Sequence, residues 1–498
     1  MEEVAISVLE GCHALNVHQC TKNVRDRFRR DLSPYSTSLI STDLSRFPEW
    51  LWTCFPLIMQ TMQTESAQTG YLPLLRDRSF HSFLWTQFLG AFNDNVYKMI
   101  VSVGAVELAA DQALGARYLA LSGAVFVLPF LLFAGYAGQL ADRFSKSNVL
   151  KITKSFEILA MIVGAGALLA GSIPLLLVVL FLLAAQANFF SPAKYGILPE
   201  MLPSSQLTKA NGLLELSTFA AIVLGSSVGS FLFAHWKGEP LKLGGVLLAI
   251  AVIGSLTSLM IKHVAAAGST EKFHVNPFAE VWSGSKVLYA DAGLWWSVMG
   301  ISFFWFLGAL LQMAEILIGS ESLHLSETHT GLLVTALALG IGIGSIAAGW
   351  LSHDRIELGL VPIGALFMGL CGIFLGFTHT FTGTLVGLSV VGFAGGLFIV
   401  PLNAYLQERA APEQKGRVLA TNNFLNMLGV ILASGVLYVM HDTLHWTPNS
   451  ILGVLGVATA LTAAGIARFA PSTLDSLLAW FRNRANLPAG SAALPPAE

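Results

Sequence analysis

Charge is what this chain has least of. Only 12% of its 498 residues are Asp, Glu, Lys or Arg, against about 25% in ordinary soluble domains. The net charge of -2 supplies no field that would recruit nucleic acid or an acidic partner. Cysteine is scarce as well. Cys12, Cys20, Cys54 and Cys371 show neither CxxC spacing nor a His/Cys cluster, which argues against both a zinc site and a disulfide framework. The phosphate-cradling loop of nucleotide-driven pumps, two glycines five apart followed by Lys and Ser or Thr, is missing, so any transport is facilitated or ion-coupled. No HxxxxD or HExxH occurs among the scattered histidines, and an enzymatic reading is left without a base, a metal or any other cofactor.

Apolar residues fill the space, at 54% of the chain with a mean hydropathy of +0.65. A bilayer is therefore the solvent. Runs long enough to cross ~30 Å of hydrocarbon fall at about 80–107, 117–140, 148–170, 173–195, 207–234 and 242–261. Six more fall at about 292–319, 329–352, 358–378, 382–407, 416–440 and 447–468. The expected fold is an all-α polytopic membrane protein of twelve transmembrane helices. Its parts are a first bundle at 74–261, a polar linker at 262–290, a second bundle at 291–468 and a tail at 469–498.

Lys and Arg crowd one set of loops, while the other set holds only Arg117, Lys237 and Lys242. The positive-inside rule then places both termini and the linker in the cytoplasm. Residues 1–61 hold a basic stretch and the apolar PEWLWTCFPLIM, which is too short to span. No small-residue cleavage site follows it. The expectation is that translation starts at Met62, with a disordered tail or an interfacial anchor as the alternatives.

The two sets of six helices repeat one another. Gly138 and Gly349, Asn211 and Asn422, and Trp85 and Trp296 each stand 211 positions apart, and Pro192 and Pro401 stand 209 apart. Two homologous six-helix halves about an axis along the membrane normal, with substrate held between them near the midplane, is an architecture of secondary transporters.

The stretch GQLADRFSK, Gly138 to Lys146, resembles the signature between helices 2 and 3 of the major facilitator superfamily, with Ser145 where a second glycine is common. The second-half copy, GWLSHDR, is degenerate, with one residue inserted before Asp354. The resemblance implies a gating role for Gly138, Asp142 and Arg143, in which the aspartate caps a neighbouring helix and pairs with a basic group. Longer blocks, LLRDRSF…TQFLGAFNDNVYK and FFSPAKYGILPEMLPSSQLTKANGLLEL, resemble the lysophospholipid transporter branch. That resemblance covers about Leu74 to Arg468. It implies flipping of lysophospholipids across the bacterial inner membrane for re-acylation on the cytoplasmic side. The acyltransferase domain of fused members is not in this chain, and a separately encoded enzyme is the expected partner. An ion-coupled exporter of drugs or small metabolites on the same fold is the alternative, because fold does not fix function.

A lysophospholipid head group needs an acid for its ammonium and a base for its phosphate within the membrane. The first run supplies Asp94 near its middle, flanked by Asn93 and Asn95, with Lys98 one turn on. Self-neutralisation of Asp94 by Lys98 is the structural alternative. Asp94 also suits a proton or sodium ion, and the residues leave that choice open. Lys194, Glu215 and Asn211 lie inside the second resemblance block and complete the candidate binding set, with a structural pair as the alternative for Lys194 and Glu215. Asn211, Asn422 and Asn426 face either the cavity or a partner helix. Lys154 and Glu157, three apart, read as a helix-supporting pair, and Glu107 and Glu315 as solvated groups near outer helix ends.

Overall fold

The structure, a computed structural model, describes residues 70–107, 112–269, 273–353 and 355–469. The readings made for residues 1–61, the tail and Asp354 lie outside them. Twelve long helices run through the described residues. In the first half they are α1 (Arg78–Glu107), α2 (Gln112–Arg143), α3 (Lys146–Leu169), α4 (Ile173–Gly196), α5 (Ser204–Trp236) and α6 (Pro240–Leu259). In the second they are α7 (Ala292–Leu317), α8 (Glu327–Leu351), α9 (Leu360–Phe377), α10 (Phe381–Arg409), α11 (Lys415–Tyr438) and α12 (Pro448–Phe469). Eleven are apolar enough to cross a membrane on composition alone. The exception is α1, whose centre carries the Asn-Asp-Asn-Lys cluster.

Several helices start where a side chain satisfies their unpaired N–H groups. Asp291 Oδ1 accepts from Gly293 N at 2.9 Å to open α7, Ser326 opens α8 and Thr380 opens α10. Such caps contribute about 1 kcal/mol each. In hydrocarbon the helix itself must satisfy the rest of the backbone.

The packing repeats between halves. Within the first, α1 packs on α5, α2 on α4 and α3 on α6; within the second, α7 packs on α11, α8 on α10 and α9 on α12. Between halves, α2 meets α11 and α5 meets α8, again a matched pair. Glycines set both approaches. A Cβ at Gly138 would stand 2.9 Å from Ala420 Cβ, and one at Gly349 would stand 3.0 Å from Lys209 Cα. Small residues that let helix backbones touch are the ordinary means of packing in lipid, where apolar contact alone gives no preference for protein over acyl chain.

Two buried apolar clusters lie in separate halves. One gathers Val96, Tyr97, Met161, Leu180 and Leu247 from the first half, the other Val298, Leu310, Leu337, Phe398 and Leu452 from the second. A third, with Leu198, Leu207 and Ala210 of the first half, takes in Ala404 of the second. Beside that third cluster, the seam between the halves carries a series of polar contacts. Asn211 and Gln407 exchange two hydrogen bonds at 2.8 Å, Asn403 Nδ2 donates to Glu215 at 3.1 Å, Asn423 Nδ2 donates to Ser191 at 2.8 Å and Ser204 Oγ donates to Glu408 at 2.7 Å. Tyr71, in the short helix Tyr71–Arg76, donates to Ile346 O at 2.6 Å, and burial raises its phenol pKa, so the donor is kept. All these residues sit at the helix ends nearest the linker, so the halves are joined on that face.

The linker departs from the expected polar connection. Residues Pro277–Ala290 form a helix, opened by Asn276, whose side chain accepts from Phe278 N at 3.0 Å.

Candidate functional site

Asp94 lies midway along α1, half-buried, and its Oδ1 has no hydrogen-bond partner among the described residues. Lys98 does not neutralise it. Its ammonium sits 4.6 Å from the Phe126 ring centroid on α2 instead. The acid at the centre of α1 is therefore not half of an i, i+4 pair with Lys98; the charges that act on it are those of Glu157 and Lys154.

The flanking amides turn elsewhere. Asn93 is fully buried and donates to Glu157 Oε1 at 3.1 Å, while Asn95 donates back to Ala91 O at 2.7 Å as its Cβ packs where Gly225 of α5 leaves room. Lys154 and Glu157 do form an ion pair, buried to about 1% exposure on both sides. It lies where Gly90 of α1 and Gly254 of α6 approach. Two carboxylates, one ammonium and the free Oδ1 of Asn93 thus make the interior of the first half a polar cluster. Sequence reading recognised the Lys154–Glu157 pair but not its link to Asn93. The spacing of three showed the pair, and no local signal showed the link.

A second cluster forms where the halves meet. Glu215 of α5 is 1% exposed. Its Oε1 accepts from Tyr195 OH at 3.2 Å and from Asn403 of α10 at 3.1 Å, while Oε2 is unpartnered among the described residues. Lys194 of α4 lies with its ammonium 4.5 Å from the Tyr195 ring. Acid and base thus approach one another across α4 and α5 with hydrogen-bonding capacity to spare, which buried groups seldom leave unused. Tyr195 and Asn403 were not read from the sequence, although Tyr195 stands in the quoted AKYGILPE block.

Asn211 belongs to the seam, bonded to Gln407 as above and to Leu207 O at 2.9 Å. It faces a partner helix, and the structure does not bring it to Asp94 or Lys194. Asn426 likewise accepts from Ser302 of α7 at 2.8 Å. Glu315 corrects the expectation of a solvated end group. It is fully buried, and neither carboxyl oxygen has a partner among the described residues. Its helix continues through a further turn at Ile318–Ser322, which keeps it below the surface. Glu107 does lie open, 2.7 Å from Lys237.

At the linker face, Asp142 accepts from the backbone N–H groups of Gly416 at 2.5 Å and Arg417 at 2.9 Å. A carboxylate there occupies the positive end of α11 and uses donors the helix cannot satisfy itself. Gly138, one turn earlier, lets α2 come close enough for that cap. The Arg143 guanidinium lies 5.4 Å from the Phe273 ring.

Comparison with known proteins adds the following. The family model described as Major Facilitator Superfamily matches residues 83–434. The lysophospholipid transporter LplT of Photorhabdus laumondii is 31% identical over 426 residues, covering 84% of this chain and 100% of that protein. The protein of the same name in Pectobacterium carotovorum is 32% identical over 384 residues, covering 76% and 88%. Among solved structures, the E. coli fucose:proton symporter FucP superposes with a TM-score of 0.63 at 15% identity over 78% of this chain and 98% of that one. The human organic anion transporter MFSD10 does so with a TM-score of 0.63 at 14% identity, over 78% and 99%.

Proposed function

The chain belongs to the Major Facilitator Superfamily, and on that premise we propose that it is a secondary transporter that flips lysophospholipids. The observation that carries the substrate is the likeness, along their whole or nearly whole length, to transporters of that name. The site chemistry is consistent with it. A lysophospholipid leaves its acyl chain in lipid and needs a polar path only for its head group. Asp94 offers a carboxylate oxygen free to meet an ammonium, Lys98 is on the same helix, and Lys194 offers the cation for a phosphate beside Glu215. Asn93 and Asn95 shape the helix around the acid, and Asn211 ties the halves together. Gly138, Asp142 and Arg143 hold the linker face shut until the halves rock. No residue of the described site favours a drug exporter over this reading.

In proteoliposomes, the wild-type chain is expected to move lysophosphatidylethanolamine and lysophosphatidylglycerol between leaflets, read by back-extraction of labelled lipid. Lys194→Ala should slow both alike, since both carry the phosphate that it would bind. Movement no faster than in protein-free vesicles would remove the reading.

The protein is a multi-pass membrane protein, and the excess of Lys and Arg in alternate loops supports an inner-membrane location with both termini cytoplasmic. Alkaline phosphatase, active only in the periplasm, should stay silent when fused after Glu498; an active fusion would reverse the orientation. The product would then be delivered to the cytoplasmic leaflet, where a separate acyltransferase would restore the second chain.

A further inference from the structure

The linker helix has two faces that solve different problems. Toward the bundle it buries Glu280, Val281, Gly284 and Leu288. Glu280, 1% exposed, is ion-paired with Arg417 of α11 and lies 2.5 Å from His274 Nδ1. Its first residue, Pro277, rests against Gly135 of α2, and Gly284 rests against Thr421 of α11. The helix thus clasps one span from each half.

The opposite face is bare. Phe278, Trp282 and Tyr289 are 51%, 66% and 77% exposed, and Lys286 is exposed among them, its ammonium 5.8 Å from the Trp282 ring. At ~100° per residue these four positions fall within roughly 80° of one another, a single aromatic stripe with one cation.

We propose that this stripe is a membrane-interface anchor, seated in the head-group layer of the leaflet at the linker face of the same bilayer that surrounds the bundle. Three observations converge on that occupant. The helix is 14 residues long, about 21 Å at 1.5 Å per residue, too short to span and placed between the linker-face ends of α6 and α7. Its exposed residues are the types that gather at the boundary of hydrocarbon and water: aromatic rings with a polar edge, and a Lys whose stem lies along them while its ammonium reaches for phosphate. The stripe also continues onto a span. Tyr289 meets Trp295 of α7 edge to face, with centroids 5.7 Å apart, and the next residue, Trp296, is 60% exposed on the surface that a lipid-facing helix presents. An aromatic stripe of this size left in water would be an aggregation surface; laid against head groups it prolongs the aromatic belt of the bundle. The inference rests on the membrane reading of the chain and not on its substrate.

The test uses the full chain with its four cysteines replaced by serine, reconstituted in phosphatidylethanolamine/phosphatidylglycerol vesicles. Nitroxide labels are placed singly through Trp282→Cys, Tyr289→Cys and, as a control on the exposed loop before the helix, Ala265→Cys. Collision with oxygen, which partitions into lipid, is compared with collision with a water-soluble nickel chelate. Labels at 282 and 289 should favour oxygen several-fold more than the label at 265. Chelate access at 282 and 289 equal to that at 265 would place the stripe in water and overturn the proposal. Dipolar broadening between labels on different molecules would overturn it in favour of a second copy of this chain.

Discussion

Asp94→Asn should insert and accumulate normally yet transport lysophosphatidylethanolamine roughly 10- to 150-fold more slowly, the factor that ~1.5–3 kcal/mol of a charge-assisted hydrogen bond is worth. The substitution keeps the shape of the side chain and removes only its charge. A carboxylate at the centre of a span costs ~2.5–3.5 kcal/mol to insert, and Asp94 Oδ1 has no hydrogen-bond partner among the described residues to offset that cost. Glu157, by contrast, holds Lys154 in an ion pair. Substrate choice separates two roles for the charge. Lysophosphatidylglycerol has no ammonium, so a head-group contact predicts a smaller loss for it, whereas an ion-coupling role predicts equal losses. Normal rates on both lipids, at equal protein abundance, would remove Asp94 from the mechanism.

Gly138→Val should be nearly as damaging for a different reason. The Cβ alone would stand 2.9 Å from Ala420 Cβ and 3.1 Å from Arg417 Cα, so α2 and α11 must part, and the bonds from Gly416 N and Arg417 N to Asp142 are lost as they do. Overpacking of this kind costs typically ~1–3 kcal/mol. The cost falls only on the state with the linker face closed, so the population moves away from it by roughly 5- to 150-fold. Alkylation of a cysteine introduced as Asn423→Cys, a seam position bonded to Ser191, should accelerate while transport falls. The pair Gly138→Ala with Ala420→Gly, which relieves the closest of these contacts, should recover part of both. Unchanged alkylation in Gly138→Val would show that α2 and α11 do not need this contact to stay together.

Much of the architecture was legible because hydrocarbon imposes one rule, a long apolar run for every crossing, and all twelve spans lie within a few residues of where the runs placed them. The start of α1 was legible despite Asp94 and Lys98 because the flanking apolar residues outweigh them. The linker helix was not. Averaged over 262–290 the segment is polar, and its period is hidden because the face that packs on protein carries the acid Glu280 while the bare face is aromatic, the reverse of a soluble helix. Asp142 could be placed at a neighbouring helix end because its short motif carries the family resemblance, although the cap itself joins residues 274 positions apart. Glu215 and Lys194 could be nominated but not Glu215's partner Asn403, and Asn211 could not be assigned to Gln407, since those contacts join residues 188 and 196 positions apart. Glu315 was misplaced by counting from a helix end that the next turn extends.

The polar seam sets how cheaply the two halves can separate. Splitting an apolar cluster would uncover surface that water resists at roughly 25 cal/mol per Å². Splitting the seam uncovers amides, hydroxyls and carboxylates, Asn211 against Gln407 and Ser204 against Glu408 among them, and each can exchange its protein partner for a water molecule at a net cost of only about 0.5–1.5 kcal/mol. Rocking the halves apart would therefore wet these polar contacts, with the apolar clusters around Val96 and Val298 left buried within their own halves.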